Sequence, residues 1–194
     1  MPIRLLLFLL LPQFALAQVS FHTLVVQPAS TLTISGKTNV SKYECTTARY
    51  SGSDTLVLRA EIGKGVTFSK GIVRLAATEF DCGMQAITKD FRQTLEAEKF
   101  PNILIDFISF EREPRYATTE EKFKGKLKLT VAGKDMSVEI RCSIVKDEKG
   151  FIHLKGSRNF LFSDFGLKAR SKMMGMVKVH EKIMVQFHLV LLKR

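Results

Sequence analysis

Between residues 122 and 142, polar and apolar side chains alternate almost one for one. Lys122, Lys124, Lys126 and Lys128 take every second position, and Phe123, Leu127, Leu129 and Val131 fall in the opposite phase. A period of two is that of a strand with one wet and one dry face. A Gly133-Lys134-Asp135 segment interrupts it, and Met136, Val138, Ile140 and Cys142 then take up the alternation again. The stretch therefore predicts an antiparallel hairpin. A sheet with one apolar and one heavily charged face suits closure around an apolar interior, and such an interior can hold a ligand.

The same period recurs along the chain. Residues 31–40 alternate weakly around Gly36, which predicts a strand that bends or bulges. Residues 43–47 predict a short strand, 51–54 a turn, 55–62 another strand, and Gly63-Lys64-Gly65 a second turn before further β character over 66–76. Ile103, Ile105 and Phe107 resume the period, 111–120 form a polar loop, 147–150 turn, and 151–162 extend again. In the last segment Val177, Val179, Ile183, Val185, Phe187, Leu189 and Leu191 share one phase, with Lys182, Gln186 and His188 in the other. Before it, Met173-Met174-Gly175-Met176 offers adaptable apolar material, suited to a lid or to core filling. Residues 86–99 depart from the pattern. Phe91 and Leu95 lie at helical spacing, Thr88 is placed to cap, and Pro101 stops the helix. The pattern predicts an all-β antiparallel domain of about eight strands with one short helix. It does not separate a barrel from a sandwich.

The first residues change the picture. Arg4, an apolar run over 5–11 and Ala15-Leu16-Ala17 ahead of Gln18 form a secretory leader cleaved after Ala17. The run is too short to span a bilayer. The expected mature protein is one domain, 18–194, exported to the periplasm or secreted. Removing the single Arg4 from the net charge of +11 leaves +10. The cations are spread over many strands, with no arginine-rich block and no aromatic-interleaved basic motif. Nucleic acid is therefore not an expected partner, whereas an anionic membrane surface stays open. In an oxidising compartment two of Cys45, Cys82 and Cys142 can pair. Cys45 with Cys82 is preferred and Cys45 with Cys142 is the rival; spacing alone does not choose between them.

Four segments in fixed order resemble the YceI-like family. They are 32–40 with its glycine, Lys89-Asp90 leading through a helix to Phe100-Pro101-Asn102, Leu129-Thr130-Val131-Ala132-Gly133, and Asp164-Phe165-Gly166. The resemblance spans most of the mature chain. It departs at Phe91-Arg92, where family members often carry a histidine, at a shorter helix, and at Ser137, where a proline is expected. It implies a lipocalin-like barrel that binds a polyisoprenoid.

Little in the chain suggests catalysis. His22, His153, His180 and His188 show no helical metal-binding spacing, although a two-histidine site assembled from different strands stays open. No Gly-x-Ser-x-Gly and no phosphate-binding glycine loop is present, so neither an enzyme nor a cofactor is expected. Binding fits better. The expected ligand-facing residues are Phe107, Leu127, Leu129, Ile140, Val185 and Phe187 in the lumen, with Phe91, Leu95, Phe162 and Phe165 at the mouth. The expected ligand is an isoprenoid or other long-chain lipid, carried or stored. The alternative is a packed barrel that docks through its lysine row on anionic membrane or an acidic protein. The oligomeric state, a homodimer included, is left open.

Overall fold

A computed structural model describes residues 19–61, 65–169, 171–172 and 176–194. The expected leader, Gly63-Lys64 of the expected second turn, and Met173-Met174-Gly175 of the methionine segment fall outside the described residues. The chain opens with β1 (Val19–Val26), β2 (Thr31–Lys37), β3 (Lys42–Thr47) and β4 (Thr55–Glu61). Next come β5 (Val66–Lys70), β6 (Ile72–Ala76), a 3-10 turn (Ala77–Glu79), β7 (Phe80–Asp81) and the helix α1 (Gln85–Thr94). The second half holds β8 (Asn102–Phe110), β9 (Glu121–Val131), β10 (Lys134–Lys146), β11 (Ile152–Leu161) and a 3-10 turn (Phe162–Phe165). The short β12 (Ser171–Lys172) and β13 (Val177–Lys178) precede the closing strand β14 (Lys182–Lys193).

Antiparallel pairing runs from β1 through β4, β5 with β6, β8, β9, β10 and β11 to β14, which pairs back with β1. The result is a closed eight-stranded barrel, which decides between the two architectures the alternation allowed. The stretch of expected β character over 66–76 divides at Gly71 into β5 and β6, both of which pair with β8. The Phe107 amide donates to the Gly71 carbonyl (2.9 Å). A Cβ at Gly71 would lie 2.1 Å from the Phe107 carbonyl oxygen, so only glycine permits this approach.

β14 is shared. Its Leu191–Lys193 end pairs with β1, and Met184–His188 pairs with β2. From there β2, β3 and β7 form a leaf, tied by a Cys45–Cys82 disulfide, while Cys142 is free and buried.

The 122–142 hairpin forms with eleven paired positions. Its turn is Ala132-Gly133, both in the left-handed region (φ 49° and 75°), and Lys134 already belongs to β10. That is the two-residue geometry whose twist matches the strands. The helix is shorter than 86–99. It ends at Thr94, and residues 95–100 make tight turns that include Glu96 at φ 50°. Thr88 is not its cap. Met84 holds that position without a side-chain bond, and the Thr88 hydroxyl, inside the helix, accepts the Cys82 amide (3.0 Å). One strand was not read from the sequence, namely β1. Its apolar phase changes midway: Val19 and Phe21 face water, whereas Leu24 and Val26 are buried. Period counting fails across such a change.

Candidate functional site

An apolar cavity lies under α1. All thirteen residues lining it are apolar. Leu32 and Ile34 come from β2, Ile103 and Ile105 from β8, Phe91 from the helix and Leu95 from its C-cap. Leu129 and Val131 add the β9 wall, Ile183 and Val185 the β14 wall, and Phe162 and Phe165 of the second 3-10 turn close it together with Leu167 just after that turn. Each strand contributes at alternate positions, as the pleat requires.

The cover is held by polar groups that face away from the cavity. Arg92 donates through Nη2 to the carbonyls of Thr78 (2.6 Å) and Phe80 (3.1 Å), which straps α1 to the first 3-10 turn and β7. The Phe91 ring lies 5.1 Å from that of Phe80. In the second 3-10 turn, the Leu161 amide donates to Asp164 (2.8 Å) and the Ser163 amide to Glu181 (2.7 Å). The turn ends at Gly166 with φ 66°, a left-handed residue covered by the Lys134 side chain. The Asp-Phe-Gly motif thus has a mechanical reading: aspartate caps, phenylalanine enters the cavity wall, and glycine reverses the chain.

Six of the ten expected ligand-facing residues converge on this cavity: Phe91, Leu95, Leu129, Phe162, Phe165 and Val185. The other four are buried but do not line it: Phe107, Leu127, Ile140 and Phe187. The division has a simple cause. One inward step along β8 goes from Ile105 to Phe107, one along β9 from Leu129 to Leu127, and one along β14 from Val185 to Phe187. At that level the interior fills with aromatic rings. Phe107 contacts Phe187 (5.6 Å), Phe68 (5.7 Å) and Phe110 (6.1 Å), and Phe110 also meets Phe68 (4.8 Å) and Phe123 (4.7 Å). These rings are a floor. The sequence reading missed Leu32, Ile34, Ile103, Ile105, Val131, Leu167 and Ile183. Most of them stand in phase with lining positions on the same strands, which is the signal that would have found them.

The free volume between cover and floor is about 40 Å³. Pockets for small organic ligands hold roughly 300–1,000 Å³. The lumen is closed in this conformation, and a chain-length ligand requires the cover side chains to move outward.

None of the residues lining the cavity titrates. Cys142 lies near the floor, where burial pushes its thiol up to about 12, so it is not a thiolate nucleophile. Among the described residues, no group of three or more His, Cys, Asp or Glu is placed to hold a metal ion. Outside the barrel, His153 and His188 do meet across β11 and β14, with Nδ1 and Nε2 at 2.8 Å, and His153 Nε2 donates to Asp147 (3.2 Å). The lysine row is partly neutralised. Lys124 pairs with Glu139 (3.0 Å), and Lys128 lies 3.7 Å from Asp135. No helix among the described residues is long and apolar enough to cross a membrane.

Comparison with known proteins agrees with this architecture. The chain shares its fold with Burkholderia cenocepacia BcnA (16% identity, TM-score 0.58, covering 83% of this chain and 95% of that one). It also matches a polyisoprenoid binding domain from Saccharophagus degradans implicated in plant cell wall breakdown (8% identity, TM-score 0.59, 91% and 100% covered). A Campylobacter jejuni YceI protein matches at 17% identity and TM-score 0.50, with 68% and 72% covered. No curated protein matches. The family model for the YceI-like domain matches residues 17–191, nearly the whole chain. With the closed barrel and its apolar lumen, that match establishes that this chain belongs to the YceI-like family.

Proposed function

We propose that this protein binds an isoprenoid or similar long-chain lipid in the barrel lumen and carries or stores it outside the cytoplasm. The observation that carries this reading is the cavity lined wholly by apolar side chains beneath a cover that is itself apolar on its inner face. The kinship with a polyisoprenoid binding domain supports it, and the leader-like N-terminal sequence supports export. Each methylene removed from water contributes roughly 0.8 kcal/mol. A tail can therefore be held firmly without a polar anchor. The protein works by burial, and its residues are arranged for binding rather than bond-breaking. Loading starts when Phe91 and Leu95 on one side, or Phe162 and Phe165 on the other, swing off the cavity.

The test is native mass spectrometry of protein purified from the exported fraction, before and after organic extraction, followed by titration with isoprenoid alcohols of increasing length. A discrete extractable mass, or uptake of added isoprenoid that Val185→Asp abolishes while the barrel stays folded by circular dichroism, is the expected result. Failure to take up any long-chain lipid, with the native cavity intact, would overturn the reading.

A further inference from the structure

The outer wall behind the aromatic floor gathers polar and cationic side chains in register. Strand register places Lys122, Ser143, Lys155, His188 and Thr31 side by side across β9, β10, β11, β14 and β2. The next outward row places Arg141 of β10 beside Ser157 of β11. Adjacent strands lie about 4.8 Å apart, so Lys122 and Lys155 stand roughly 10 Å from each other with Ser143 between them. Arg141 is the diagonal neighbour of both, one outward position along β10. The three cations thus surround a patch kept low by two serines, and the surface there sinks into a hollow of about 620 Å³.

The charge state of this hollow is unusual for the barrel. Lys124, which borders the same hollow opposite Arg141, is paired with Glu139, and farther along β9 Lys128 faces Asp135. Lys122, Arg141 and Lys155 have no carboxylate partner among the described residues. Glu111, the acid at the rim, accepts the Lys124 backbone amide (2.9 Å). Three cations without a carboxylate partner and two hydroxyls line one hollow, an arrangement complementary to a compact anion of charge near −2. Arginine supplies the planar fork that suits a tetrahedral oxyanion, and the lysines supply point charges.

We infer that Lys122, Arg141 and Lys155, with Ser143 and Ser157, form a phosphate-type oxyanion site on the outside of the barrel. The anion is either free phosphate or the phosphate of a lipid headgroup, and the same contacts serve both. Phe123, Cys142 and Phe187 also border the hollow, but they alternate with the polar positions along their strands and are buried, so the site lies on the opposite face of the sheet from the lumen.

Isothermal titration of the mature protein with inorganic phosphate, at ionic strength fixed with chloride, tests it. One saturable site is expected. Arg141→Gln and Lys155→Gln should each weaken it by about tenfold, while Lys70→Gln, an exposed lysine on β5, should leave it unchanged. A second arm uses vesicles of phosphatidylcholine with and without phosphatidylglycerol. Vesicle binding that phosphate displaces assigns the headgroup as the source. Phosphate binding without vesicle binding assigns a soluble anion. Melting curves of each variant establish that it is folded. Absence of saturable phosphate binding, or equal weakening by Lys70→Gln and Arg141→Gln, would overturn the inference, whatever the lumen binds.

Discussion

The rings of Phe107 and Phe187 meet edge to face, 5.6 Å between centroids and 86° between planes, from β8 and β14. Neither lines the cavity, and together they decide where it ends. Truncating Phe187 removes a ring from the floor and leaves a void that the closed barrel cannot collapse to fill. Phe187→Ala should cost about 3–5 kcal/mol in urea unfolding. If the protein holds a tail, the variant should also accept longer ones than the wild type, which the same titration of isoprenoid alcohols reads. A stability loss below 1 kcal/mol would mean that the floor is not rigid.

The Cys45–Cys82 bond joins the leaf to the segment just before α1, across 37 residues of sequence. Replacing both cysteines by serine should destabilise the protein by about 2–4 kcal/mol. The effect should be local as well as global. Amide exchange in α1 should rise more than in β9 and β10, because the Cys82 amide bonds Thr88 of the helix. Uniform loss of protection would show that the bond secures the whole barrel rather than its cover.

Tyr50 is buried, and its hydroxyl donates to Asp54 (2.7 Å) while accepting the Asp54 amide (2.9 Å). Arg74 completes the cluster with its backbone amide (2.7 Å) and guanidinium (2.6 Å) on the same carboxylate. Burial, and then the bond to Asp54, push the phenol well above its ordinary range. Tyr50→Phe keeps the packing but removes one donor and one acceptor inside the protein. It should cost about 1–3 kcal/mol by thermal or urea denaturation.

His188 is held below the ordinary histidine value of 6.5, first by partial burial, then by the charge of Lys155 and of His153. A carboxylate only accepts, so His153 Nε2 carries the proton toward Asp147, and its Nδ1 accepts from His188. The fold thus favours neutral His188. The stability this brings is fully present above the unfolded value and is lost as pH falls through the lower native one. For Asp147, partial desolvation raises the carboxyl, but the bonds from His153 and the Phe151 amide prevail and hold it below 3.8, so its contribution fades only at lower pH. The melting temperature should drop between pH 7 and pH 5, and His188→Gln should flatten that slope. An unchanged slope would place the pH sensitivity elsewhere.

How far the sequence reveals this protein depends on which force sets each feature. Strands with one dry face show themselves, because burial imposes strict alternation. The 122–142 hairpin is legible for that reason, and so is the last segment from Lys182 on, whereas the single phase running from Val177 to Leu191 hides the break over 179–181 that separates β13 from β14. β1 is not, since its apolar residues change phase between Phe21 and Leu24 while the face turned to the core stays the same, so Val19 and Phe21 break the alternation that burial would impose. The break at Gly71 is equally silent, because it answers to the Phe107 carbonyl on another strand. Within the lumen, inward-facing residues are legible as a class. The level each reaches along the barrel axis is not, because it follows from stagger between strands. That is why Val185 lines the cavity while Phe187, equally apolar and in the same phase, belongs to the floor. His153 and His188 meet for the same reason: their cross-strand register is invisible in the one-dimensional chain.

A pocket wall that offers no hydrogen bond cannot tell one headgroup from another. It can sense only girth and reach, at about 1–3 kcal/mol for each methylene gained or refused. If a tail occupies the lumen, the depth from the Phe91 cover to the Phe107 and Phe187 rings would act as a gauge. Molecules of unrelated chemistry but equal tail length would compete for the same space, and tails one isoprene unit too long would be sorted out by the aromatic floor alone.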